Sequence, residues 1–138
     1  MNIDAIQDGI VIDHITTGRG MRLYELLELE KLNCSVAIIK NVHSEKLGKK
    51  DIIKIDADIP VNFDGIGYVD PGVSVNRIRG GRLVEKRRID MPELLTNVIF
   101  CRNPRCITST EQELKHVFRL TDRENTVYRC IYCETKAN

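Results

Sequence analysis

Four cysteines in the last third of the chain carry its most specific chemistry: Cys101-x4-Cys106, twenty-three residues, then Cys130-x2-Cys133. Two close pairs, each on its own turn, are the arrangement that delivers four thiolates to one tetrahedral zinc ion. Every position is cysteine, so no coordination site stays open for water or substrate, and one structural Zn2+ is expected rather than a catalytic one. Disulfide and redox readings of the same pairs fit less well. A secreted disulfide module starts with a basic, then apolar leader, whereas Met1 to Asp8 is short and acidic, so the chain is expected to be cytoplasmic. A redox CxxC opens a helix, and Cys133 stands five residues from the end of the chain, with no room for one. The fifth cysteine, Cys34, borders the apolar run Val36-Ala37-Ile38-Ile39 and reads as a small hydrophobe of a buried strand.

The remaining charged side chains are evenly balanced overall but unevenly placed. The 138 residues hold 21 basic and 20 acidic groups, a net charge of +1, which argues against a chain whose main task is gripping nucleic acid. No apolar run approaches the twenty residues of a membrane span. Arg77, Arg79, Arg82, Lys86, Arg87 and Arg88 nevertheless fall within twelve residues against Glu85 alone. Such a cluster either guards an exposed strand edge or binds an anion.

These groups need elements to position them. Ile10 to Ile15 reads as a first strand, closed by Thr17-Gly18-Arg19-Gly20. Met21 to Leu32 then places Leu23, Leu26, Leu27, Leu29 and Leu32 on one helical stripe, with Asn33 to end it. Ser35 to Val42 and Lys50 to Ile55 form a hairpin about the polar stretch Ser44 to Gly48. Between Asp56 and Gly72 the glycines and prolines leave room for one short helix on Phe63, Ile66 and Val69. Val73 to Ile78 and Leu83 to Ile89 are strands around a Gly80-Gly81 turn. Asp90 to Leu94 is a brief connection. Beyond it, Val98 to Cys101, Val117 to Leu120 and Thr126 to Cys130 are strand candidates around the cysteines. The expected fold is α+β: a ferredoxin-like antiparallel sheet with helices on one face in residues 1–92, and a small all-β zinc domain in residues 93–138. So small a module needs its metal to fold.

This order of elements, with four stretches of sequence, closely resembles the regulatory chain of aspartate carbamoyltransferase over nearly the whole length. The stretches are Val11-Ile12-Asp13-His14-Ile15, Gly48-Lys49-Lys50-Asp51-Ile52-Ile53-Lys54-Ile55, Val75-Asn76-Arg77-Ile78, and Asn97-Val98-Ile99-Phe100-Cys101 with its partners Cys106 and Cys130-x-Tyr132-Cys133-Glu134. The resemblance implies a non-catalytic subunit of pyrimidine biosynthesis. It implies allosteric binding of the nucleotides CTP, UTP and ATP, pairing of regulatory chains through the first domain, and attachment to catalytic chains through the zinc domain.

Carried over by position, the resemblance implies that Asp13 accepts ribose hydroxyls, Lys54 reaches base and ribose, and Lys86 meets the triphosphate, with His14 a secondary phosphate contact and Asn76 close by. Backbone groups around Ala5 and Ile6, next to Asp4, would read the base edge, and Ile3, Val11 and Leu83 would supply apolar walls. Asn103 and Glu134 would be polar contacts to the catalytic chain. Each has a plainer alternative: Asp13 pairing with a lysine across the sheet, the lysines guarding strand edges, the others lying on the surface. Gly81 and Asp4 depart from the family pattern, which has an aromatic residue and a glutamate there, so the order of effector preference is not carried over, although CTP inhibition is expected. Two rivals from other classes are a zinc-ribbon nucleic-acid module and an amino-acid sensor. The first would place a basic, aromatic-bearing face on the ribbon, yet residues 101–138 hold seven basic groups against five acids. The second leaves Lys54 and Lys86 without a task.

Overall fold

The computed structural model describes residues 6–137, which divide into two units after Asp90. In the first, β1 (Gly9–Thr16), α1 (Gly20–Leu26), β2 (Val36–Ser44), β3 (Gly48–Ile55), α2 (Phe63–Val69), β4 (Ser74–Arg79) and β5 (Arg82–Arg88) follow in order. The sheet runs β2-β3-β1-β4-β5 with every neighbour antiparallel. The inner order β2-β3-β1-β4, with a helix after β1 and another after β3, is the split βαβ plan of a ferredoxin-like layer, and β5 extends it.

Side-chain alternation sorts this sheet into two faces. Ile10 and Ile12 of β1, Ile53 and Ile55 of β3 and Val75 of β4 are buried against Leu23, Ile66 and Val69 from the helices. The opposite, open face carries Val11, Asp13, Lys54 and Asn76. β1 and β2 each break register once against β3, between Ile12 and Ile15 and between Ile39 and Val42. His14 and Asn41, at φ near 60°, are the left-handed residues of those two bulges.

The helices are shorter than the apolar stripe predicts. α1 ends at Leu26 because Glu28 turns left-handed at φ 54°, and Leu29 to Lys31 continue as a single 3-10 turn that still buries Leu29. α2 is held at its start by Asn62, whose Oδ1 accepts the Gly65 N–H at 3.1 Å. Cys34 lies in the bend ahead of β2, half-buried against the core rather than within the strand. At the β4–β5 turn Gly80 and Gly81 both have positive φ, 58° and 73°, as a two-residue type I′ hairpin requires. Among the described residues no helix is long and apolar enough to cross a membrane.

The second unit packs Leu95, Phe118 and Tyr128 beneath a three-stranded sheet, β6 (Leu94–Thr96), β7 (Val117–Asp122) and β8 (Val127–Cys130), in the order β6-β7-β8. The first of these strands is displaced from the expected Val98 to Cys101. Asn97 adopts φ 56°, its N–H donates to the His116 carbonyl at 2.7 Å and its Oδ1 accepts the His116 N–H at 2.9 Å. That knot ends β6 and turns the chain toward Cys101. Residues of the expected connection are likewise structural: the Pro92 carbonyl accepts the Tyr128 hydroxyl at 2.7 Å, and the Glu93 carbonyl accepts the Leu120 N–H at 2.9 Å.

Candidate metal centre and ligand face

Cys101, Cys106, Cys130 and Cys133 converge so that their sulfurs lie within 4.8 Å of one another. Cys101 and Cys133 are 3.6 Å apart, Cys106 and Cys130 3.8 Å. Four ligands at a Zn–S distance of about 2.3 Å around a tetrahedron are about 3.8 Å apart, so this donor set fits zinc in type and size. Turns supply donors to the sulfurs: the Asn103 N–H faces Cys101, the Tyr132 and Cys133 N–H groups face Cys130, and the Thr135 N–H faces Cys133. Hydroxyls add to them. Thr108 Oγ1 donates to Cys106 Sγ at 3.1 Å, and Thr135 Oγ1 lies 3.2 Å from Cys133 Sγ. His116 Nδ1 accepts the Cys101 N–H at 3.0 Å, and its ring meets Phe100 edge-on. Burial pushes the Cys101 thiol up to about 12 and also raises Cys130. At Cys133 burial pulls the same way, but the Thr135 hydroxyl and N–H outweigh it and bring the thiol down to about 6. A dication offsets the repulsion of four thiolates so close together, and its binding displaces their protons.

Sequence spacing gives the four cysteines but not this outer ring. Its signal was a repeated Cys-x-Thr, Cys106-Ile107-Thr108 and Cys133-Glu134-Thr135. Asn103 belongs to the ring as well: its Nδ2 donates to Thr135 Oγ1 at 3.2 Å and its Oδ1 accepts the Arg105 N–H at 3.1 Å. Glu134 is exposed, with φ 63°, and its carbonyl accepts from Arg129.

On the open face of the first unit, register alone assembles a row. Lys86 opposes Asn76, Asn76 opposes Val11, and Val11 opposes Lys54. Directly opposed residues share a face, so two lysines from β3 and β5 flank a valine and an asparagine from the strands between them. Asn76 Oδ1 is buried, with no hydrogen-bond partner among the described residues. One step along the strands, Asp13 opposes Ser74. Lys50 Nζ lies 2.9 Å from Asp13 Oδ1, the His14 N–H donates to the same oxygen at 2.6 Å, and His14 Nδ1 is 3.2 Å from Ser74 Oγ. In the other direction Leu83, 58% exposed, opposes Ile78, and Ile78 opposes Gly9. Ile6 is half-buried beside this end of β1. Ile3, Asp4 and Ala5 lie outside the described residues.

Lys50 and Ser74 escaped the sequence-based assignment, although the strand period of two puts Lys50 on the same side of β3 as Lys54. Asp13 does pair with a lysine across the sheet, the plainer of its two alternatives, and that lysine is Lys50. The pairing leaves both side chains on the open face.

Comparison with known proteins turns these observations into a family assignment. Residues 1–90 match the model of the aspartate carbamoyltransferase regulatory chain, allosteric domain, and residues 93–138 that of the metal binding domain of the same chain. The chain belongs to the aspartate carbamoyltransferase regulatory chain family. It is 46% identical over 135 residues to the regulatory chain of Clostridium tetani, covering 97% of this chain and 94% of that one. Identity to the chain of Bifidobacterium longum is 39% over 137 residues, 99% of each. A regulatory chain of this family is a non-catalytic subunit with an allosteric domain and a metal-binding domain. Neither the zinc-ribbon module nor the amino-acid sensor is the family that these matches show. The four-cysteine cluster sits within the metal-binding match, consistent with a structural zinc site.

Proposed function

We propose that this regulatory chain binds nucleotide effectors, CTP, UTP and ATP, on the open face of its five-stranded sheet, and that it attaches to catalytic chains through the zinc domain. The observation that carries the reading is the row Lys86, Asn76, Val11 and Lys54 with Asp13 beside it. Lys86, exposed on β5, meets the triphosphate as a compact point charge, and Lys54 reaches base and ribose. Asp13 accepts ribose hydroxyls, with Lys50 and His14 at its side as a further cation and a secondary phosphate contact. Asn76 Oδ1 is an acceptor without a partner among the described residues, which suits a ligand hydroxyl or amino group and not a phosphate. Val11 and Leu83, with Ile3, wall the apolar part, and the backbone from Asp4 through Ala5 to Ile6 reads the base edge.

Around the cysteines Phe100, Ile107, Ile131 and Tyr132 expose 44–60% of their surface, an apolar group that suits docking to the catalytic chain, with Asn103 and Glu134 as its polar contacts. Regulatory chains pair through the outer edge of β2, because β5, the other edge, is guarded by Arg82, Lys86, Arg87 and Arg88. Nucleotide then acts by binding one quaternary arrangement better than the other, and it shifts their balance only by that difference.

Calorimetric titration of the zinc-loaded chain with CTP, with and without magnesium, tests the site. Saturable binding is expected, weakened about tenfold to a hundredfold in each of Lys54→Ala and Lys86→Ala, the range of one charge-assisted contact. Unchanged affinity in both variants would place the nucleotide elsewhere.

A further inference from the structure

Asp51, in β3, is fully buried, and its carboxylate is held by three backbone N–H groups from two places in the chain, the turn after β1 and the bulge of β2. Oδ2 accepts from Gly18 at 3.1 Å and from Gly20 at 3.2 Å, and Oδ1 accepts from Asn41 at 3.2 Å. A buried carboxylate requires such donors, so the turn at Gly18 to Gly20, the β2 bulge at Asn41 and Asp51 on β3 constrain one another. The approach at Gly20 is close: a Cβ there would stand 2.9 Å from Oδ2.

Asp51 also marks the point where both neighbouring strands bulge. β1 passes from Ile12 opposite Ile53 to Ile15 opposite Asp51, and β2 passes from Ile39 opposite Ile52 to Val42 opposite Lys50, each gaining one residue on β3. Strict alternation would turn His14 toward the helices. The extra residue in β1 instead puts His14 beside Ser74, on the face that Asp13 occupies. Asn41, the left-handed residue of the second bulge, lies on the outer strand of the sheet.

We propose that Asp51 is the positioning residue of the effector face: it holds the bulge that brings Asp13 and His14 onto one side of the sheet, and it couples occupancy of that face to Asn41 on edge strand β2. The proposal rests on the nucleotide reading above. Its physical content is that one carboxylate cannot give up the donors on the β1 side without changing the one on the β2 side.

Amide hydrogen exchange on the zinc-loaded full chain, with and without saturating CTP, tests it. In the wild type CTP is expected to slow exchange at Gly18, Gly20 and Asn41, approaching about a hundredfold at a concentration about 100 times the dissociation constant. Asp51→Asn replaces one acceptor oxygen with a donor, and Gly20→Ala crowds the carboxylate without removing it. Both are expected to weaken CTP by about tenfold and to abolish the Asn41 response at saturation. A merely structural residue would lower stability and leave that response in place. CTP binding with no change at Asn41 in the wild type, or an unchanged response in both variants, overturns the coupling alone. The wild-type arm and Gly20→Ala decide the matter if Asp51→Asn fails to fold. Absence of CTP binding to the wild type removes both readings.

Discussion

Asp13 makes the open face sensitive to acid. Burial acts to raise its carboxyl, but the Lys50 amine and the His14 N–H outweigh burial and hold it below its ordinary value. A carboxyl lowered by folding contributes stability that is complete above its unfolded value, about 3.9, and is lost as pH falls through the lower folded value. Lys50→Ala should therefore cost on the order of 1 kcal/mol at neutral pH and nothing at strongly acid pH, read from denaturant titrations at both. A difference that persists in strong acid would assign Lys50 another role. At the metal centre, Thr108→Ala and Thr135→Ala each remove a hydroxyl from a sulfur and are expected to weaken zinc retention at least about tenfold in competition with a chelator. The cysteines themselves were legible, because ligand spacing is a local property of the chain. The hydroxyls left only the repeated Cys-x-Thr as a trace, and His116, fifteen residues from Cys101, left none, because nothing in its identity separates it from a surface residue until the turns are built.

At the scale of elements, period-two alternation made the sheet readable, and Gly80-Gly81 marked its last hairpin. A β-branched residue at Gly81 must adopt φ 73° and meet the Gln7 amide at 3.3 Å. Gly81→Val is expected to cost about 1–2 kcal/mol and to lower the melting temperature of the first unit by roughly 5–10 °C. An unshifted transition would mean the turn rearranges without strain. What the pattern left hidden were its irregularities. Left-handed residues at His14, Glu28, Asn41 and Asn97 create two bulges, stop α1 and end β6, and none is glycine. Their conformations are imposed by tertiary contacts, such as the Asn97 to His116 exchange, which residue type and period do not encode. The lysines were anticipated as separate residues, and only strand register could show that Lys54 and Lys86 flank the same pair, Val11 and Asn76.

Across the whole molecule the two units have separate cores. That of the first gathers residues from Ile10 to Ile89, whereas the second rests on Leu95, Phe118, Tyr128 and its cysteines. Forty-odd residues with so small a core depend on their metal, and zinc removal is expected to expose the segment after Met91 to proteolysis while leaving the sheet of the first unit intact. Loss of both units together would show that their stabilities are joined. As proposed, this chain makes a separate catalytic chain responsive to nucleotide. The most direct test is the activity of aspartate carbamoyltransferase catalytic chains, measured with and without the zinc-loaded protein, across a CTP titration. If the proposed function holds, CTP lowers activity only when this chain is present, and Lys86→Ala assembles normally but moves the response to about tenfold to a hundredfold higher CTP. Activity indifferent to CTP in a demonstrated assembly, or an unshifted response with Lys86→Ala, would contradict the proposal.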